Sequence, residues 1–234
     1  MQANKIKKKY IILSFFTEGF PHDKGENLTK EAIIFRKLTE NIFDEVLLFY
    51  PRKLIKSNKK WDKILFDKNI EEAHLSSNQI IESKNDHWAK LNFSLWKPYL
   101  IHEVLKMKNI YTNSIVIFHD INLTKYPQYE LNLLNSKKLF TKLLKNKSIA
   151  CIKDSYLSLS IDCKQEIIKK YLGSEGNTLC HLWSGCIGFK KNKNSLSFCK
   201  EWLQLTKKDK NRNQITKFDT YRNFKWHAQE QATF

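Results

Sequence analysis

The sequence predicts an α/β fold, a mostly parallel β-sheet flanked by helices. Three short apolar runs rich in β-branched and aromatic residues, 9–16, 45–50 and 114–119, have the composition of buried parallel strands. Segments with helical periodicity separate them, and the first two runs are spaced as in a βαβ unit. The 6 Gly and 4 Pro in the chain are too few for a β-sandwich with many tight turns.

We expect a single domain over residues 1–234, because the sequence has no internal repeat and no low-complexity linker. A chain of 234 residues can bury a substantial core without disulfides or structural metals. Aromatic residues make up 13% of the chain and apolar residues 41%, a composition that argues against global disorder.

The chain carries a formal net charge of +17 at pH 7. Its Lys and Arg residues are spread along the whole sequence, often beside Asn, as in 190–194. The positive field favours anionic partners, such as sugar nucleotides, acidic glycans or an anionic lipid surface. A nucleic-acid-binding domain is the less favoured alternative, because the basic residues are not gathered in one patch.

The five cysteines form no C-x-x-C pair, so a zinc ribbon is unsupported and buried thiols in a reducing compartment are expected. No apolar run is long enough to span a bilayer, and the apolar run after the basic segment 1–10 is too short for a signal peptide. We therefore expect a cytoplasmic protein, with peripheral contact at the inner face of the membrane left open.

The elements of the first half follow in order. After the strand 9–16, Thr29 can cap a helix that an apolar stripe extends through Thr39. The second strand, 45–50, is stopped by Pro51. The polar stretch 53–84 predicts one or two short helices.

A helix and a strand are predicted between residues 95 and 119, and five further elements follow them. A helix opens at 95–98, where Pro98 suits the first turn, and 114–119 gives the strongest strand prediction. The remaining predicted elements are a helix over 136–144, a strand over 148–153, a helix over 163–172 closed by Gly173, a strand over 182–189, and a helix capped by Ser195 through Leu205.

The first chemistry-bearing segment is His119-Asp120-Ile121-Asn122, directly after the strongest strand. An acid at the carboxyl end of a central parallel strand lies where open α/β sheets bind ligands. The hard oxygens of Asp120 and Asn122, two positions apart, suit Mg²⁺ or Mn²⁺, which would offset diphosphate charge. The alternative is a turn in which these side chains bond their own backbone.

The second segment surrounds Lys97. A lysine at a helix N-terminus is unfavourable with the helix dipole unless an anion lies there, which indicates phosphate or carboxylate contact. In the alternative, Trp96 and Tyr99 are core residues and Lys97 is solvated.

Two later segments give weaker signals. The glycines within 183–189 indicate close approach of backbone or ligand, or else a β-bulge or a tight packing site. His227 and Glu230 share a helical face, where His227 could bind metal and Glu230 and Gln231 could hold acceptor hydroxyls; the alternative is a solvated surface. The sequence has no G-x-S-x-G, G-x-G-x-x-G or P-loop motif.

Taken in order, these four segments resemble a family of bacterial surface-polysaccharide glycosyltransferases of the GT-A type. That family carries a W-K-P-Y-like helix start, a strand ending in a D-x-D-like motif, a W-x-G-G-like strand and an H-R-x-D-Q-like segment. The matching stretches here are Trp96-Lys97-Pro98-Tyr99, Asp120-Ile121-Asn122, Trp183-Ser184-Gly185-Cys186 and His227-Ala228-Gln229-Glu230-Gln231.

The resemblance implies a GT-A-like fold and transfer of a sugar from a nucleoside-diphosphate sugar to a glycan or lipid-linked acceptor, with Mn²⁺ or Mg²⁺ as cofactor. The implied sites are donor contacts at Phe15, Thr17, Trp96, Lys97 and Asp120, acceptor contacts at Trp183, Gly185, Glu230 and Gln231, metal ligands at Asp120, Asn122 and His227, and catalytic roles for Asp120 and Glu230. Asn122 stands where the family's second acid would be and offers a carbonyl oxygen without charge. A non-catalytic glycan-binding relative is therefore the other alternative.

Overall fold

The computed structural model describes residues 8–16, 21–22, 26–27, 29–65, 93–121, 129–158, 169, 173 and 180–208. The strands are β1 (Tyr10–Phe15), β2 (Pro21–His22), β3 (Glu26–Asn27), β4 (Glu45–Phe49), β5 (Ile115–His119), β6 (Ile149–Ser158) and β7 (Cys180–Lys190). The helices are α1 (Thr29–Thr39), α2 (Pro51–Ser57), α3 (Lys60–Leu65), α4 (Phe93–Lys106), α5 (Tyr129–Leu143) and α6 (Lys193–Lys208).

The main sheet is five-stranded, in the order β4-β1-β5-β7-β6, and β2 and β3 form a separate antiparallel pair. β1 pairs in parallel with β4 and β5, whereas β7 pairs antiparallel with both β5 and β6. The α/β class and the flanking helices are confirmed, but the sheet is mixed rather than mostly parallel. A strand covered on both faces is apolar in either direction, so composition does not reveal which way it runs.

Helices cover both faces of the sheet, and alternate strand residues enter two cores. On one face Leu13 and Phe118 pack with α2, α3, α4 and α6, and Trp202 of α6 is fully buried there. On the other face Ile12 and Ile117 pack with α1 and α5. Each apolar strand residue is thus buried by whichever helical layer its side chain faces.

The N-terminal βαβ unit agrees closely with the prediction from the sequence. α1 has the predicted bounds, and the hydroxyl of Thr39 in its last turn donates a 2.6 Å hydrogen bond to the carbonyl of Phe35. The Asp44 carboxylate then accepts a 2.7 Å hydrogen bond from the backbone N–H of Tyr10. That bond fixes the start of β4 against the start of β1.

α4 begins at Phe93, so Pro98 is inside the helix rather than in its first turn, and Lys97 is the fifth residue of the helix rather than at its N-terminus as predicted. A proline at this position leaves the carbonyl of Ser94 without its usual helical donor. The helix continues nevertheless, because Leu100, Ile101 and Val104 are completely or almost completely buried in the core that follows. Tertiary burial outweighs the local preference of proline.

α6 is capped by Asn192, not by Ser195 as predicted. The side-chain oxygen of Asn192 accepts a 3.0 Å hydrogen bond from the backbone N–H of Ser195. The Ser195 hydroxyl in turn accepts one of 3.2 Å from the backbone N–H of Asn192. This reciprocal arrangement is a capping box in which Ser195 plays the part of the third helical residue.

β7 has an irregular register against β6. Cys151 lies opposite Ile187, but the next residue, Ile152, lies opposite Trp183, so three residues of β7 have no β6 partner in this register. Gly188 packs directly against Phe140 of α5, because an added Cβ would lie 2.8 Å from the Cγ of that ring. The expected strand is confirmed, and its glycines coincide with both alternatives considered for them, an irregularity and a tight packing site.

Other predicted elements are longer than expected or lie elsewhere. α5 begins at Tyr129, seven residues before the predicted start, and β6 extends to Ser158. Most of the predicted helix 163–172 lies outside the described residues, although Lys169 is helical and Gly173 has a φ of 68°. Within the described part of the chain, no helix has both the length and the apolar character needed to cross a membrane.

Candidate functional site

Asp120 lies at the edge of the sheet where three parallel strands end. β1, β4 and β5 are parallel, so Phe16, Tyr50 and Asp120, which follow them, lie on the same edge. The backbone N–H of Asp120 donates a 2.8 Å hydrogen bond to the carbonyl of Gly185 in β7. On the other side, the Ser14 hydroxyl donates one of 2.6 Å to the carbonyl of His119. The backbone that carries Asp120 is therefore held from both neighbouring strands.

The side chain of Asp120 forms an ion pair with Lys97 of α4. The Nζ atom of Lys97 lies 3.7 Å from an Asp120 carboxylate oxygen, with side-chain exposures of 5% and 33% respectively. A buried ammonium is costly unless a counter-charge lies close to it. The pair thus joins a cation inside the protein to a carboxylate that still reaches solvent.

Aromatic rings surround the Lys97 ammonium. It lies 5.0 Å from the ring centroid of Phe118 and 5.6 Å from that of Trp96, within the range of cation–π attraction. Trp96 also stacks on Phe15, with centroids 4.3 Å apart and planes inclined by 25°. These rings form an apolar wall that weakens the screening of charge around Lys97.

Phe15 and Trp96 are both core residues, with relative exposures of 7% and 6%. For Trp96 this agrees with the alternative in which it belongs to the core. Its indole Nε1 is buried, and no acceptor within the described ranges lies at hydrogen-bond distance from it. Lys97 is not solvated, and the Asp120 carboxylate is an anion that it contacts within the described ranges.

His119 faces away from this pair. Consecutive strand residues point to opposite faces, and the His119 ring lies 6.3 Å from Phe35 on the α1 side. Its Nδ1–H donates a 3.0 Å hydrogen bond to the backbone carbonyl of Asp120. Burial lowers the pKa of His119, an effect that this hydrogen bond and the Asp120 charge partly oppose. We assign His119 to positioning the end of β5.

Cys186 lies opposite His119 in the β5–β7 pairing and is completely buried. Burial, followed by the charge of Asp120, raises the pKa of the Cys186 thiol to about 12, and a hydrogen bond with Ser136 opposes the rise. The thiol is therefore protonated at neutral pH and is not an activated nucleophile.

The fold brings five of the sequence-predicted site residues together at or beside this edge: Phe15, Trp96, Lys97, Asp120 and Gly185. For Trp183 only the strand position in β7 is described. The remaining predicted residues lie outside the described ranges: Thr17, Asn122, His227, Glu230 and Gln231.

Among the described residues, Asp120 is the candidate ligand for a divalent ion. In the described ranges, no cluster of three or more His, Cys, Asp or Glu side chains could hold a metal. Asp120 offers hard carboxylate oxygens with partial solvent access, the ligand chemistry that Mg²⁺ and Mn²⁺ prefer. Further oxygen ligands would have to come from the substrate or from residues beyond those described.

The structure also contains a groove beside this edge that was not predicted from the sequence. A groove of about 830 Å³ lies between α1 and α2, lined by Phe16, Ala32, Ile33, Arg36, Lys37, Glu40, Leu48, Tyr50, Lys53 and Lys56. We call it the basic groove, because four of these side chains are cations and one is an acid. The i and i+3 spacing of Lys53 and Lys56 on α2 was the signal available in the sequence.

Comparison with known proteins leaves the family open. No protein-family model matches the chain, and no curated protein gives a significant match.

Proposed function

We propose that this chain is a glycosyltransferase that moves a sugar from a nucleoside-diphosphate sugar to a glycan or lipid-linked acceptor. The observation that carries the proposal is the Lys97–Asp120 pair at the edge where the parallel strands end. Open α/β sheets bind their ligands at this edge. The ordered resemblance of four segments to GT-A enzymes supports the same function and a GT-A-like fold.

The chemistry requires positive charge beside a leaving diphosphate. Breaking the bond between sugar and diphosphate leaves the bonding electrons on a phosphate oxygen, and nearby cations lower the barrier by stabilising that charge. The Lys97 ammonium is held in an apolar wall, where its electrostatic effect exceeds that of a solvated lysine. A divalent ion, Mn²⁺ or Mg²⁺, would supply further charge when bound.

Asp120 would hold that ion through the carboxylate that faces solvent. The ion pair with Lys97 and the hydrogen bond to Gly185 restrain this residue before any ligand binds. Such restraint reduces the reorganisation needed during the reaction. Asn122 and His227 are the proposed additional ligands.

The remaining roles are proposed from the resemblance. Thr17 would contact the donor after β1, with Phe15 and Trp96 as the apolar wall behind it. Trp183 and Gly185 would shape the acceptor side. Glu230 and Gln231 would bind acceptor hydroxyls, and Glu230 would act as general base if the reaction inverts the anomeric configuration.

We also propose a cytoplasmic location, where nucleotide sugars would serve as donors. Among the described residues, Cys151, Cys186 and Cys199 carry free thiols, which suits a reducing compartment.

The test is a donor screen with the full chain. The purified protein is incubated with a panel of nucleoside-diphosphate sugars, with and without Mn²⁺, and released nucleoside diphosphate and melting temperature are recorded. We expect release with at least one donor, and a loss of about 100-fold or more in Asp120→Asn and Lys97→Met.

A matched ion pair serves as the control. Lys9 and Glu45 lie 3.3 Å apart at the opposite edge of the same sheet, with exposures of 32% and 24%. Lys9→Met and Glu45→Gln should keep full activity.

The transferase proposal is refuted if no donor is hydrolysed and none shifts the melting temperature of the protein. Donor-independent binding of glycans would instead indicate a non-catalytic glycan-binding protein.

A further inference from the structure

The basic groove combines cations that form no ion pair with any described residue and an exposed apolar side chain, that of Ile33. Ile33 lines the groove and is 67% exposed, and its neighbour Ile34 is 46% exposed. The adjoining Ala32 and Phe35 are buried against the sheet, so α1 is already anchored by its other face. The two isoleucines therefore contribute little to the packing of α1, and their exposure has an energetic cost in water.

The charges of the groove are unbalanced. Among the described lining residues, four are cations, Arg36 and Lys37 of α1 and Lys53 and Lys56 of α2, and one is a carboxylate, Glu40. Within the described ranges, none of the four cations forms an ion pair. Lys53 donates instead a 2.9 Å hydrogen bond to the carbonyl of Leu48. Four cations held around one concave surface repel one another, and an anionic partner would relieve this repulsion.

The type of partner follows from the other side chains. Single-stranded nucleic acid is bound by exposed aromatic faces. Of the two aromatic residues that line this groove, Phe16 is only 8% exposed and Tyr50 is half-buried against it, with ring centroids 5.1 Å apart. Exposed aliphatic residues beside Lys and Arg are instead typical of surfaces that enter the headgroup region of a bilayer. Anionic lipids attract such cations when these lie close to the membrane.

We propose that the basic groove docks this chain on an anionic membrane surface. Ile33 enters the interfacial layer, and Arg36, Lys37 and Lys56 face lipid phosphates. Lys53 holds the Leu48 carbonyl and so preserves the shape of the groove.

Docking also orients the sheet. Phe16 and Tyr50 line the groove at the ends of β1 and β4, on the same edge as Asp120. The groove runs along β4, the outer strand, so docking brings this edge close to the bilayer. If the proposed transferase function holds, the preferred acceptor is lipid-linked, and this corollary alone depends on that function.

The test is co-sedimentation of the full chain with vesicles, either neutral phosphatidylcholine or phosphatidylcholine containing about one third phosphatidylglycerol. The groove variant is Arg36→Gln, Lys37→Gln and Lys56→Gln together, leaving Lys53 in place. The control variant, with the same change in net charge, is Lys108→Gln, Lys193→Gln and Lys200→Gln, all exposed residues outside the groove. Melting temperatures establish that both variants are folded.

We expect binding to anionic vesicles only, and a loss of about 100-fold in the groove variant, from a factor of about five per cation. The control should lose far less, and Ile33→Ser should weaken binding with its cations intact. Equal losses in the two triple variants, or equal binding to neutral vesicles, would overturn the proposal. Loss of binding to an RNA oligonucleotide in the groove variant, with vesicle binding unchanged, would overturn it in favour of nucleic acid.

Inorganic phosphate separates a surface from a small-anion site. Adding phosphate at the same ionic strength as a chloride control should release no more protein from the vesicles than chloride does. Specific release by phosphate would show that the groove binds a free anion, contrary to membrane docking.

Discussion

Lys97 is almost fully buried, whereas its partner Asp120, at 3.7 Å, keeps a third of its side chain exposed. Removing the carboxylate and removing the ammonium should therefore have different effects on the stability of the fold. Water can hydrate the carboxylate if the ammonium is removed, but it reaches the ammonium poorly if the carboxylate is removed.

This asymmetry predicts unequal effects on stability. Asp120→Ala should lower the free energy of unfolding by about 1–3 kcal/mol, less than a fully buried pair because Asp120 is partly exposed. Lys97→Met should cost clearly less, since methionine can occupy the space between the aromatic rings. Urea unfolding of both variants and of the double variant measures the difference. An equal cost for the two single variants would contradict the unequal burial.

Stability should fall in mild acid because of His119. Burial lowers the pKa of folded His119 below the value of about 6.5 typical of an unfolded chain. Between these two pKa values the unfolded state binds more protons, so stability rises with pH there and is fully present above about pH 6.5. Acidification below that point should lower the free energy of unfolding, with a slope of at most about 1.4 kcal/mol per pH unit from this residue.

Unfolding of His119→Gln across the same pH range provides the check. The variant should be less stable at neutral pH, because it disturbs the hydrogen bond to the Asp120 carbonyl, but its stability should depend less on pH. If the free energy of unfolding of the variant depends on pH as steeply as that of the wild type, His119 is not the cause of the acid destabilisation.

Gly188 should not tolerate a side chain. The methyl group of Gly188→Ala would meet the Phe140 ring, and we expect a loss of about 1–3 kcal/mol from overpacking. A second substitution, Phe140→Leu, should recover part of that loss. Gly173→Ala is the informative comparison, because an added Cβ there meets no atom within 4 Å and would cost only backbone strain at a φ of 68°.

The buried thiols should be inert in the folded protein. Burial raises the pKa of Cys186 to about 12 and also raises that of Cys199, so neither forms appreciable thiolate near neutral pH. Alkylation by iodoacetamide at about pH 8, followed by peptide mass spectrometry, should leave both unmodified until denaturant is added. Cys151, which is less buried, should react earlier. Rapid native labelling of Cys186 would contradict the packing at the end of β5.

Local signals in the sequence were sufficient for much of the fold. The bounds of α1 and the positions of β1, β4 and β5 follow from periodicity and from Pro51, because these elements obey short-range preferences. Pro98 misled the prediction of α4, since burial of the following residues extends the helix on both sides of it. Ser195 misled the cap assignment because Asn192, three residues earlier, supplies the same chemistry.

The site was predictable only in part. Asp120 could be singled out because it follows the strongest predicted strand. Lys97 was singled out as a lysine at a helix N-terminus, but α4 begins four residues earlier, and it is burial rather than the helix dipole that makes a counter-charge necessary. That the two residues form a pair depends on how α4 packs on the sheet, which no local pattern encodes. The basic groove joins two helices through their tertiary arrangement, so its four cations could not be grouped from spacing alone.

The pairing of β1 with β5 has a consequence for the order of events during synthesis. Tyr10 lies beside Ile115, so β1 gains its second neighbour only after about 100 further residues have been synthesised. Until then one hydrogen-bonding edge of β1 is open, and such edges are prone to aggregation during folding. Translation should therefore pass through a stage at which the nascent chain benefits from chaperones. The edge of β1 closes when residues 115–119 have left the ribosome, but β5 then has an open edge until β7 follows.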